Sequence, residues 1–258
     1  MQIAHLSDLH LGLGAANEAA AACLVDALLA EDVDLVVVSG DVTHRGRRAE
    51  LRIFQRLFAP LLGRLVVVPG NHDRLGDDLG DLIMPGFRVQ ASLEASAWVV
   101  RFNSTGPHNR RWLDGHGLLT AADVTDCETA LRSGPRGAPR LLVMHHHPLP
   151  LPDEHLLEKL VTRLGWPNAR ELPLGRDLVD RLRHSCDALL HGHRHVPSVL
   201  QPHPPLLVLS SGSSTEQGGF RVLRWSGAAF DLRWHHAAQP VEPARLPLAL
   251  SGAGVEAC

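Results

Sequence analysis

Leu65-Val66-Val67-Val68-Pro69-Gly70-Asn71-His72-Asp73 joins a short β-branched run to a turn and then to three polar, chemistry-bearing positions. The run is too short for a helix and is stopped by Pro-Gly, so it reads as a buried strand ending at a loop. Upstream, Leu35-Val36-Val37-Val38 runs into Ser39-Gly40-Asp41 in the same way, and Ile3–Ser7 runs into Asp8-Leu9-His10. Helical periodicity fills the gaps: Leu24, Ala27 and Leu28 within Asn17–Ala30, then Leu51, Phe54, Leu57, Phe58 and Leu61 within Ala49–Leu62. Strand, helix, strand, helix, strand is the pattern of an α/β sheet.

Farther along, Leu141–Met144 runs into His145-His146-His147-Pro148, and Ala188–Leu190 runs into Gly192-His193-Arg194-His195. Between these landmarks, paired β segments are expected over Phe87–Phe102 and helices over Leu119–Leu131 and Leu178–Arg183. A long proline-punctuated segment, Pro148–Pro173, reads as a lid or substrate-shaping loop with a helix near Glu154–Leu164. Leu206–Ser210 reads as a strand, and Phe220–Trp234 as a hairpin turning at Ser226-Gly227. Residues 1–236 are read as one domain, and Ala237–Cys258, rich in Ala, Pro and Leu without a period, as an irregular tail.

Composition narrows the function. With 25 Lys and Arg against 28 Asp and Glu, the net charge of −3 gives no basic footprint for stable nucleic-acid binding. No apolar run is long enough to cross a bilayer, and no secretory leader is visible at the N-terminus. The scattered cysteines Cys23, Cys127, Cys186 and Cys258 lack metal-ribbon spacing and suit a reducing, cytoplasmic setting. Seventeen histidines accompany no tyrosine at all, a bias that suits metal chemistry.

In open α/β sheets, ligands bind beyond the carboxyl ends of the strands, which is where Asp8, Asp41, Asn71, His145 and His193 fall. Two divalent ions about 3.5–4 Å apart need a bridging carboxylate to offset their repulsion, and Asp41 is assigned that place. One ion then takes Asp8, His10, Asp41 and His195, and the other takes Asp41, Asn71, His145 and His193. The alternation in His193-Arg194-His195 lets one turn serve both ions. Oxygen and imidazole donors without thiolate suit Mn, Fe or Zn. Such a pair lowers the pKa of a bridging water to about 7 and aligns the resulting hydroxide for in-line attack on a phosphate ester. Of the three adjacent histidines, His145 takes the ligand position, His146 remains open as a pocket-lining or alternative ligand, and His147 is a structural neighbour. His191 is a packing residue. The arginines Arg45, Arg47, Arg48 and Arg52 form a solvated helix start or an anion-steering entrance, and His44 lies within reach of a substrate. Trp112 and Phe220 are assigned to the core.

Taken together, Asp8-x-His10, Gly40-Asp41-x4-Gly46, Gly70-Asn71-His72-Asp73, the His145 segment and Gly192-His193-x-His195 resemble the calcineurin-like metallophosphoesterases. The resemblance spans residues 8–195 and implies a four-layer αββα sandwich, two mixed β-sheets flanked by helices. It implies the same ligand set, with His72 acting at the substrate phosphate and Asp73 orienting His72. The form Met144–Pro148 and the segment Gly115-x-Gly117-Leu118 look like the class III cyclic-nucleotide phosphodiesterase branch. The expected substrate is therefore a small phosphodiester, a 3′,5′-cyclic nucleotide first. A glycerophosphodiester, a phosphomonoester and a nucleotide or lipid pyrophosphate remain alternatives, as does a binding scaffold without catalysis. A homodimer is compatible with the sequence.

Overall fold

The computed structural model describes residues 1–151 and 171–238. The 154–164 helix, most of the 148–173 lid and the tail beyond residue 238 lie outside the described residues.

Two mixed sheets stack face to face. In the first, β1 (Gln2–Leu6), β2 (Leu35–Val38) and β3 (Leu65–Val67) run parallel. The hairpin of β10 (Gly219–Trp225) and β11 (Phe230–His236) adds antiparallel beside β1. In the second, β5 (Ala97–Phe102), β6 (Arg140–Val143), β7 (Ala188–His191) and β9 (Leu206–Ser211) run parallel. There, β4 (Val89–Glu94) and β8 (Pro197–His203) form antiparallel edges.

Alternation along the strands explains why the sheets stack. Ile3, Leu35, Val37 and Val66 face Val99, Leu141, Val143, Ala188 and Leu190 in an apolar layer between the sheets. Their neighbours Ala4, Val36 and Val38 point outward, onto α1 (Ala15–Ala30) and α2 (Arg48–Leu57). On the far side, Val100, Leu142 and Leu189 pack under α4 (Ala121–Arg132) and α5 (Gly175–Leu182). Central strands buried on both faces lose the polar alternation of a half-exposed sheet, which is why they read as continuous Val/Leu runs. The result is the expected αββα sandwich.

Differences from the sequence reading have local causes. The second helix stops at Leu57 rather than Leu62 because Pro60 lacks an N–H and cannot sit inside an α-helix, and a 3₁₀ stretch at Ala59–Arg64 follows instead. Strand β8 carries two prolines and an irregular register on a sheet edge, so its sequence shows no strand pattern. Two short helices, α3 (Gly80–Ile83) and α6 (Ser214–Gln217), also went unanticipated. No helix among the described residues is long and apolar enough to cross a membrane.

Candidate metal centre

Five parallel strands, three from the first sheet and two from the second, deliver their carboxyl ends to one place. The loops interlock through main-chain bonds: Asp8 N–H donates to Gly40 O, His10 N–H to Asp41 O, and Gly192 N–H to His145 O. Asp8, His10, Asp41, His193 and His195 all have left-handed backbones, with φ between 47° and 77°. This region is costly for most side chains and more tolerant of Asp, Asn and His, so the loops turn sharply and aim their side chains inward. Two glycines permit the close approach. A Cβ at Gly70 would collide with Asp41, and one at Gly192 with Ser7 and Asp8.

All seven expected ligands come together. His10 Nε2 lies 3.0 Å from His195 Nε2, and His195 Nε2 lies 3.5 Å from Asp8 Oδ1. Asn71 Oδ1 sits 3.1 Å from His145 Nε2 and 3.0 Å from His193 Nδ1. Asp41 Oδ2 faces both groups, 3.4 Å from His145 Nε2 and 3.9 Å from His10 Nε2.

Hydrogen bonds behind the site fix which nitrogen faces inward, as outer partners of ligating histidines do. His145 donates from Nδ1 to Ser39 O at 2.9 Å, which leaves Nε2 for the centre. His195 turns Nδ1 to Glu216 Oε2 at 3.2 Å. His146 is excluded by the same logic. Its Nδ1 accepts from Ser104 Oγ at 2.8 Å and its Nε2 donates to Gly115 O at 3.0 Å, so both nitrogens are engaged although the ring borders His145 and His193. His147 is buried and stacks on His193, and His191 is buried with Nδ1 toward Gly192 O.

One expectation is corrected. Asp73 does not orient His72. His72 Nδ1 donates to the carbonyl of His44 at 2.8 Å. The Asp73 carboxylate instead accepts from Val42 N, Thr43 N, Thr43 Oγ1 and Gly70 N, tying the Asp41 loop to the Asn71 loop. A second correction concerns Trp112, which is 58% exposed, whereas Phe220 is fully buried as expected. The Trp112 ring lies 5.3 Å from that of His72 and 5.9 Å from that of His44, at the rim of the centre. Glu216, Ser104 and the His44 carbonyl were not foreseen: each works through a long-range hydrogen bond that no local motif encodes.

Electrostatics fit a pair of cations. Asp8 and Asp41 are buried carboxylates, and no Lys or Arg among the described residues pairs with them. Burial drives the His10 imidazole down to about 3, leaving it neutral. Burial also opposes charge on His145, yet Asp41 and then Asp8 carry it up to about 9. His195 likewise rises to about 9, against burial, through Glu216 and Asp8. Without ions, protons on these two rings balance the carboxylates. Divalent cations would displace them, as metal binding does at imidazole sites. The donor set of two carboxylates, one amide oxygen and four imidazoles therefore fits two borderline divalent ions.

A profile of the calcineurin-like phosphoesterases matches residues 1–197. The chain belongs to this family. A probable cyclic nucleotide phosphodiesterase of Vesicomyosocius okutanii is 24% identical over 167 residues, 64% of this chain and 63% of that protein. The glycerophosphodiester phosphodiesterase GpdQ of Enterobacter lignolyticus is 30% identical over 178 residues, 58% of each. The chain thus spans about three fifths of these relatives' lengths. A dimetal phosphatase from Danio rerio superposes with a TM-score of 0.62 at 11% identity, over 91% of this chain and 95% of that one.

Proposed function

We propose that this phosphoesterase hydrolyses a small phosphodiester, with a 3′,5′-cyclic nucleotide the favoured substrate. The observation that carries the reading is the convergence of Asp8, His10, Asp41, Asn71, His145, His193 and His195 around a shared carboxylate oxygen. Asp8, His10, Asp41 and His195 would hold one ion. Asp41, Asn71, His145 and His193 would hold the other, with Mn, Fe or Zn suited to both. When bound, the two ions supply Lewis acidity toward the phosphoryl oxygens and ionise the attacking water near neutral pH.

The chain's own groups do the rest. Asp41 and Asn71 are held in register by Asp73, which binds both loops. His72, anchored through Nδ1 on the His44 carbonyl, turns Nε2 toward the centre. There it hydrogen-bonds a phosphoryl oxygen and, in its doubly protonated form, passes a proton to the leaving alkoxide. Water adds to phosphorus, one P–O ester bond breaks, and a monoester and a free hydroxyl result, both on one molecule when the diester is cyclic. The identities of the Vesicomyosocius and Enterobacter relatives support a diester over a monoester. The latter favours glycerophosphodiesters as a second reading of the same site. The unpaired thiols Cys23, Cys127 and Cys186 suit action in the cytoplasm, and the charge balance suits a small substrate over a nucleic acid.

The test is steady-state turnover of Mn-reconstituted protein on 3′,5′-cyclic AMP, bis(p-nitrophenyl) phosphate and glycerophosphoethanolamine. Hydrolysis of the cyclic nucleotide is expected. Protein that holds two ions per chain and hydrolyses none of the three would end this reading.

A further inference from the structure

Beside the metal centre lies a cavity of about 360 Å³ lined by Arg45, Arg47, Leu75, Gly76 and Trp112. Its contents are unusual for a surface hollow. One wall is an indole 58% exposed, a large apolar ring left in water. Two guanidiniums stand nearby, and neither Arg45 nor Arg47 forms an ion pair with a carboxylate among the described residues. The indole ends a row of rings that leads inward: Trp112 lies 5.3 Å from His72, and His72 lies 4.6 Å from His10.

The indole sits on a built platform. Asn109 folds the turn Pro107–Arg110 back on itself, accepting from Gly106 N–H and donating to Asp114 O and His116 O. Arg110 then pairs with Asp78, which also pairs with Arg74. This fastens the platform to the segment that follows Asn71. An exposed side chain on a braced loop loses little freedom when something packs on it.

We propose that this cavity seats a nucleobase on the substrate, stacked on Trp112 while its phosphate lies at the metal centre. A flat, heteroatom-rich ring satisfies all three wall chemistries: stacking on the indole, and acceptor atoms or a π-face for Arg45 and Arg47. An alkyl chain would bury the guanidiniums without partners. Trp112 is thus a specificity-determining residue, which selects nucleotide esters over aliphatic ones. The inference rests on the phosphoesterase reading for the position of the phosphate.

Binding and turnover separate the two ideas. Titration calorimetry of the Mn-loaded protein is expected to show adenosine 5′-monophosphate binding about tenfold tighter than inorganic phosphate, the scale of one base–aromatic stack. Trp112→Ala should erase that gap and leave phosphate binding unchanged, and Trp112→Phe should retain most of it. In turnover, Trp112→Ala should raise KM for cyclic AMP about tenfold more than it raises KM for glycerophosphoethanolamine. A wild-type protein with no preference for the nucleotide, or a Trp112→Ala protein that keeps the preference, overturns the proposal. If the Trp112-dependent preference is present but no diester is hydrolysed, the base site stands and the phosphodiesterase reading falls.

Discussion

Replacing Gly70 with alanine would press directly on the carboxylate at the middle of the site. The new methyl group would lie against Asp41 Oδ1 and its backbone N, with Asp41 Cγ at 2.8 Å. An ordinary carbon–carbon contact is about 3.5 Å, so the carboxylate or the Gly70 loop must yield by at least about 0.7 Å. Neither yields freely. Asp41 Oδ1 is held by His72 N–H at 2.8 Å, its backbone is left-handed, and Gly70 N–H is held by Asp73 Oδ2 at 2.9 Å. Overpacking of this kind costs about 1–3 kcal/mol of folding stability. A ligand misplaced by about 1 Å costs on the order of a hundredfold in rate. We expect Gly70→Ala to lose about a hundredfold in kcat/KM together with part of its metal. Gly63→Ala, whose methyl group would meet nothing within 4 Å, should match the wild type. The measurements are turnover on bis(p-nitrophenyl) phosphate, metal content by elemental analysis and guanidinium unfolding. A Gly70→Ala protein with full metal content and undiminished rate would refute the placement of Asp41 at the centre.

Glu216→Gln removes the charge that faces His195 Nδ1 and should weaken metal affinity about tenfold with little change in kcat at saturating Mn; unchanged affinity in a metal titration would remove Glu216 from the site. His72→Ala should keep both ions and slow turnover by about 10²–10⁴-fold, and metal loss in that variant would recast His72 as a ligand. His5 offers a pH test away from the ligands: it is fully buried, and burial, then Arg221, then His191, hold its imidazole well below the usual value. Its folded pKa lies below the unfolded value near 6.5, so stability is intact above about pH 6.5 and falls as the unfolded chain takes up a proton below it, by about 1.4 kcal/mol per pH unit. In metal-stripped protein, His5→Gln should flatten the stability slope below pH 6.5 by about that amount; parallel slopes for both proteins would contradict it.

The strands and the convergence of the candidate ligands were legible because each declares itself locally. A short apolar run that ends in a turn bearing Asp, Asn or His carries its own boundary and its own chemistry, and five such units leave few ways to assemble. Pairing of β8 with β9 was not legible, since an edge strand with prolines is specified by its partner rather than by its own pattern. The roles around the centre were harder still. Asp73 follows His72 in sequence, which suggests an orienting pair, yet its carboxylate turns to Val42, Thr43 and Gly70. Which way a side chain turns at a 3₁₀ turn is set by the donors across the gap, and these lie about thirty residues away. Trp112 was misjudged for a related reason: a large aromatic ring defaults to the interior, and only a loop braced by Asn109 and Asp78 shows why this one stays in solvent.

The left-handed turns at Asp8, His10, Asp41, His193 and His195 bear on how this enzyme is dissected. Alanine scanning at these five positions would conflate two injuries, because alanine forfeits the donor atom and also resists the backbone twist by about 1–2 kcal/mol. Asparagine tolerates the twist while altering the donor, so Asp8→Asn and Asp41→Asn report on coordination with far less collateral unfolding. The same economy shapes any redesign: to recruit a different metal here, new donors must be drawn from the few residue types that accept this curl of the chain.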